Sequence, residues 1–145
     1  TKQFGIPGLR LGYVLAHAET IAHLSQLQIP WSVNRLAQLA GESIFSRKQS
    51  IELSLFCAEA QTMCKQLRAI DGVEAYPGNC NFFLARLQKH SATELKSYLM
   101  ENHGFLIRDA SNFEGLDSGY FRVAAQLPEK NMQLVKAIHH FLISQ

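Results

Sequence analysis

Cysteine is scarce in this chain of 145 residues: Cys57, Cys64 and Cys80 are an odd number and lack paired metal-ligand spacing. A disulfide framework and a thiolate zinc site are therefore not expected; three reduced, partly buried thiols of a cytoplasmic protein are. Charge is also sparse, at 18% of residues and a net of +2, with the basic residues scattered rather than striped. Nucleic acid is not an expected partner on that ground. No apolar run reaches the ~18 residues that a membrane helix needs, and no signal peptide is visible. The six histidines, His139-His140 among them, have no carboxylate or cysteine at ligand spacing, so no metal is expected. There are no repeats and no low-complexity segments. An initiator Met is missing too. The chain opens on Thr1-Lys2 and runs at once into an apolar stretch with Gly and Pro, which reads as part of a longer protein.

What is present is ordinary globular material, 47% hydrophobic, enough for one core. Leu9, Leu11, Tyr13, Val14 and Leu15 follow the turn formers Pro7 and Gly8 and predict a strand. A short helix is expected over 21–27, ended by Pro30. Ser32-Val33-Asn34 offers cap candidates for a helix through Leu36, Leu39 and Ala40. A longer helix is expected from Arg47 to Ala69, with Ile51, Leu55, Ala58, Thr62 and Leu67 on one face and Asp71-Gly72 at its end. A strand from Cys80 to Leu87 follows a turn at Tyr76-Pro77-Gly78. Ser91 and Glu94 fit a capping box for a helix from Ala92 to about Asn102, stopped by Gly104. Strands are expected over 105–108 and 120–125. Pro128 then starts a last helix whose apolar face is Leu134, Val135, Ile138, Phe141 and Leu142. The polar cap usual before such a proline is missing at Gln126-Leu127, which weakens the helix start by about 1 kcal/mol. The whole reads as an α/β chain.

The chemistry concentrates at the start, in Thr1-Lys2-Gln3-Phe4-Gly5-Ile6-Pro7-Gly8-Leu9-Arg10-Leu11-Gly12-Tyr13. A lysine can serve as a nucleophile if it is held deprotonated. A guanidinium grips a phosphate bidentately where an ammonium does not. Gly8 and Gly12 leave room for backbone to approach. This stretch resembles the cofactor-lysine signature of class II aminotransferases, in the version shared by threonine-phosphate decarboxylases and histidinol-phosphate aminotransferases. Pro30-Trp31-Ser32-Val33-Asn34, Pro77-Gly78-Asn79-Cys80-Asn81-Phe82, the run Leu106 to Leu116 and Tyr120-Phe121-Arg122-Val123 resemble further segments of the same enzymes, in order.

The resemblance implies the aspartate-aminotransferase-like fold, with residues 1–48 as the end of the large cofactor-binding domain and its linker, and 49–145 as the small C-terminal α/β domain. It implies pyridoxal 5'-phosphate as cofactor, with Lys2 as the Schiff-base lysine and general acid–base group, and Arg10 and Thr1 on the cofactor phosphate. Arg122 would hold the substrate α-carboxylate and Arg108 a substrate phosphate. The details of 106–123 and Pro30-Trp31-Ser32 lean toward decarboxylation of L-threonine O-3-phosphate, a step in cobalamin biosynthesis. Histidinol-phosphate aminotransfer is the alternative, and a non-catalytic isolated fragment a third reading. The full-length protein is expected to be a homodimer acting on a small phosphorylated amino acid. Trp31, Phe82, Phe83, Phe113 and Phe121 are expected to serve packing, and Glu114 and Asp117 to be solvated loop residues.

Overall fold

The computed structural model describes residues 4–46 and 53–144. The chain divides into two compact units, Thr1–Ser50 and Ile51–Gln145. Among the described residues no helix is long and apolar enough to cross a membrane.

The second unit carries the core. Its helices are α3 (Leu53–Arg68), α4 (Ala92–His103) and α5 (Pro128–Ile143); its strands are β1 (Val73–Tyr76), β2 (Phe82–Leu87), β3 (Arg108–Asp109) and β4 (Tyr120–Ala124). The sheet is antiparallel throughout, in the order β1-β2-β4-β3. Strand residues alternate between buried and outward positions, as period-two geometry demands of a sheet covered on one face. Val73, Ala75, Phe83, Ala85, Phe121 and Val123 form the covered face and cluster with buried residues of all three helices.

Each helix follows from local signals. α4 begins at a complete capping box, with Ser91 Oγ accepting the Glu94 N–H and the Glu94 carboxylate accepting the Ser91 N–H. It ends at Gly104, whose φ of 67° is a left-handed cap that glycine adopts without a Cβ penalty. Ala92, Leu95 and Leu99 are its fully buried stripe, and each leucine is worth roughly 1.5–3 kcal/mol relative to exposure. α5 buries Leu134, Ala137, Ile138 and Phe141 at helical spacing. No side chain caps its Leu127 N-cap. Instead the buried Asn131 reaches back, accepting the Gln126 N–H at 2.8 Å and donating to the Gln126 carbonyl and to Glu59. Asn131 thus ties the chain before the helix to its first turn without capping the helix's own N–H groups.

Three expectations need correction here. On α3 the buried face is Ala60, Met63, Cys64 and Leu67; of the expected face Leu67 is buried, whereas Leu55, Ala58 and Thr62 are exposed, because the sheet and α5 meet the stripe beside them. Its expected start at Arg47 lies outside the described residues. β1 was not expected, because Val-Glu-Ala-Tyr is weak strand material; pairing with β2 forms it, after Gly72 turns the chain at φ 84°. The strand expected over 105–108 shrinks to Arg108–Asp109.

The first unit is built differently. A 3-10 turn over Pro7–Leu9 precedes α1 (Ala18–Leu27) and α2 (Arg35–Phe45). The strand expected near Leu9–Leu15 is absent: Tyr13 and Leu15 are 80% and 93% exposed, and no described neighbour offers a ladder to pair with. α2 is capped by Asn34, whose Oδ1 accepts the Ala37 N–H at 2.9 Å. Its buried stripe within the unit is Ala37 and Gly41, not Leu36 and Leu39. Gly41 packs close to Leu11: an added Cβ would lie 3.2 Å from a Leu11 methyl, which would have to shift by a few tenths of an ångström.

Candidate functional site

Thr1 and Lys2 lie outside the described residues, so the proposed cofactor lysine has no geometry here. Arg10 does. It closes the 3-10 turn in the left-handed region, at φ 53°, an uncommon conformation for a residue with a Cβ. Its guanidinium Nη1 donates to the Pro7 carbonyl at 2.8 Å, which folds the side chain back over its own turn. α2 holds the same segment: Asn34 Nδ2 donates to the Leu9 carbonyl, and Phe45 meets the Tyr13 ring edge-on at 5.9 Å. Arg10 is exposed and makes no ion pair among the described residues. A guanidinium fixed in place without a carboxylate is the donor set a phosphate monoester fits. An added Cβ at Gly8 or Gly12 meets nothing in the described chain, so the room they leave is open. The groove beside this segment is lined by Val14, Ile21, Leu24 and Leu27 together with Tyr13, Ser25 and Gln28, and holds no charged side chain.

In the second unit the outward face of the sheet collects three arginines. Arg108 and Arg122 are directly opposed across β3 and β4, so both side chains stand on that face, with Cβ atoms about 5 Å apart. Like charges directly opposite destabilise a ladder. No acid offsets them: neither arginine is in an ion pair among the described residues. Arg108 Nη2 donates to Asn112 Oδ1 at 3.0 Å and lies 5.5 Å from the Phe113 ring centroid. Arg122 lies 5.2 Å from the Phe82 centroid. Two uncompensated cations side by side can attract anionic groups.

Arg86, on the same face of β2, is satisfied internally. Its Nη2 donates to Asp117 at 2.8 Å, its Nε donates to the same carboxylate at 3.0 Å, and its Nη1 is 3.5 Å from Glu74. Tyr76 stacks on Tyr120 and donates to Glu74 at 2.7 Å. These contacts set the local titrations. The Arg86 guanidinium and the Gly119 N–H hold the Asp117 carboxyl below its ordinary value. The Tyr76 hydroxyl and the Gln88 amide do the same for Glu74. The Tyr76 phenol is pushed up, by hydrogen bonding with Tyr120 and then with Glu74.

The connection from β3 to β4 is fixed at both ends. Asp109 accepts from the hydroxyls of Ser111 and Thr93, at 2.6 and 2.7 Å, and these bonds hold its pKa down. At the far end Asp117 accepts the Gly119 N–H, and a Cβ on buried Gly119 would collide with the Leu87 carbonyl oxygen.

Sequence reasoning missed several of these residues. Asp117 is an exposed loop acid, as expected, but it also anchors Arg86 and the Gly119 N–H; the Asp-x-Gly spacing of 117–119 was the available signal for the second contact. Phe83 and Phe121 are core residues as expected, but Phe82 and Phe113 are each 41% exposed beneath the arginines, and Trp31 is 98% exposed. Cys64 is buried, and burial pushes its thiol up, whereas Cys80 is exposed rather than partly buried. Among the described residues no three His, Cys, Asp or Glu side chains gather as a metal site.

The family model for aminotransferase class I and II matches residues 1–138. The chain is 34% identical to the threonine-phosphate decarboxylase of Salmonella typhimurium over 145 residues, covering 98% of this chain and 39% of that protein. It is 32% identical to the histidinol-phosphate aminotransferase of Caldanaerobacter subterraneus over 143 residues, covering 98% of this chain and 40% of that one. The crystal structure of L-threonine-O-3-phosphate decarboxylase from Porphyromonas gingivalis superposes with a TM-score of 0.86 at 39% identity, covering 97% of this chain and 44% of that one. The chain thus spans about two fifths of the length of the curated relatives it matches.

Proposed function

Because this chain belongs to the aminotransferase class I and II family, whose enzymes work with pyridoxal 5'-phosphate, we propose that it is part of a lyase that decarboxylates L-threonine O-3-phosphate to 1-aminopropan-2-ol O-2-phosphate, the linker used in cobalamin biosynthesis. One observation carries the reading: Arg108 and Arg122 stand in direct register with no acid partner among the described residues. A substrate with a carboxylate at one end and a phosphate at the other supplies two anions to two arginines. In this assignment Arg122 holds the α-carboxylate, Arg108 the substrate phosphate and Arg10, with Thr1, the cofactor phosphate. Lys2 carries the cofactor and returns a proton to Cα once CO2 has left. Bound there, the cofactor supplies the electron sink for the pair that remains on Cα. Residues 1–48 are then the end of the large domain with its linker, and 49–145 the small domain of a cytoplasmic homodimer.

The relative named histidinol-phosphate aminotransferase supports a second reading. The same arginines would serve it, with the Cα–H bond broken in place of Cα–C. The full-length protein, given L-threonine O-3-phosphate, should release CO2 stoichiometrically with no 2-oxo acid present. Glutamate consumed with imidazole-acetol phosphate, and no CO2, would replace the lyase by the aminotransferase. The 145-residue chain alone should neither hold the cofactor tightly nor turn over; a stoichiometric borohydride-trapped adduct at Lys2 would overturn that.

A further inference from the structure

Arginines that must stay available to a ligand need support that does not consume their donors. A carboxylate beneath a guanidinium neutralises it and occupies its N–H groups, as Glu74 and Asp117 do to Arg86. An aromatic face attracts the cation through its quadrupole and leaves the in-plane N–H groups free. Arg86 has both kinds, with the Tyr120 ring at 5.6 Å, whereas among the described residues Arg108 and Arg122 have the second kind without the first, Phe113 at 5.5 Å and Phe82 at 5.2 Å.

The placement of both rings is local. Phe82 opens β2 opposite Ala124, one diagonal step from Arg122, so the small Ala124 leaves the ring space to lean under the guanidinium. Phe113 sits in a turn closed by its own N–H to the Ala110 carbonyl at 3.0 Å, next to the Asn112 that accepts from Arg108. Both rings are 41% exposed, while Phe83 and Phe121 beside them are buried at 4% and 0%. Core packing does not require the exposed pair.

We propose that Phe82 and Phe113 are positioning residues that determine specificity: Phe113 acts through Arg108 on the preference for a phosphorylated substrate, and Phe82 acts through Arg122 on affinity for the α-carboxylate. The inference rests on the assignment of those arginines above. Leucine keeps the apolar volume and removes the π face; tyrosine keeps the face, and at this exposure its hydroxyl reaches water.

The test uses the full-length holoenzyme and titrates the cofactor absorbance with L-threonine O-3-phosphate and with L-threonine. Phe113→Leu should weaken the phosphorylated ligand about two- to fivefold and leave L-threonine unchanged. Phe82→Leu should weaken both ligands by a similar factor, and the Phe→Tyr variant at each position should restore wild-type binding. Equal weakening of both ligands by Phe113→Leu, no effect of either leucine, or failure of tyrosine to restore binding would overturn the proposal while leaving the arginine assignment intact. A wild-type enzyme that binds the two ligands equally would overturn the assignment and, with it, this inference.

Discussion

Arg86 and the pair Arg108–Arg122 share one face of one small sheet, each with an aromatic ring within 6 Å, and differ in their acids. Arg86 is gripped by Asp117 through two nitrogens and flanked by Glu74, so its charge is spent inside the molecule. Arg108 and Arg122 face each other with aromatic rings and an amide for company. The first setting ties the β3–β4 connection to β2 at Asp117. On the proposed reading, the structural arginine is marked by its acids and the ligand-binding pair by their absence among the described residues.

The contrast can be broken from either side. Arg122→Gln in the full-length enzyme should have the largest effect, a fall in kcat/KM of about a hundredfold from the loss of a charge-assisted carboxylate pair, with little change in Tm. Gly119→Ala should do the reverse: the collision with the Leu87 carbonyl oxygen costs about 1–3 kcal/mol, read as a lower denaturation midpoint. Leu84 is the cross-strand partner of Arg122 on β2. Leu84→Glu should therefore convert Arg122 to the Arg86 type and raise KM by about tenfold; an unchanged KM would show that an acid neighbour does not silence the arginine. Arg86→Gln should lower Tm and leave the KM of the enzyme unaltered, because its charge meets no ligand.

The smallest effect is in the acid limb of stability. Glu74, Asp109 and Asp117 all titrate below their ordinary values in the fold. As the pH falls, the unfolded chain takes up these protons first. The stabilisation is therefore complete above about pH 4 to 5, where the unfolded acids are ionised, and is lost as the pH drops through the lower folded values. Denaturation midpoints between pH 6 and pH 3 should show that loss, and Asp117→Asn should flatten it.

Most of the second unit was legible in the sequence, because its signals are local. Ser91 with Glu94, Gly104, Pro128 and the Leu134-to-Leu142 periodicity each act within one or two turns of helix, and each reappears in the structure. β1 and the buried face of α3 were not legible, since a weak strand and an ambiguous stripe are decided by the surface they meet. In the first unit, the strand-like Tyr13 and Leu15 are exposed with no ladder beside them among the described residues, and the same rule applies: propensity without a partner gives no strand.

The family and the cofactor were determined by sequence alone, and Arg10, Arg108 and Arg122 were singled out as candidates by sequence alone, because both reside in residue type and order. Which cations are free and which are spent was decided by tertiary structure. Arg86 finds Asp117 across 31 positions of chain, and Arg108 meets Arg122 through the β3–β4 register. A charge's role depends on what stands within a few ångströms of it, and only the folded sheet sets that.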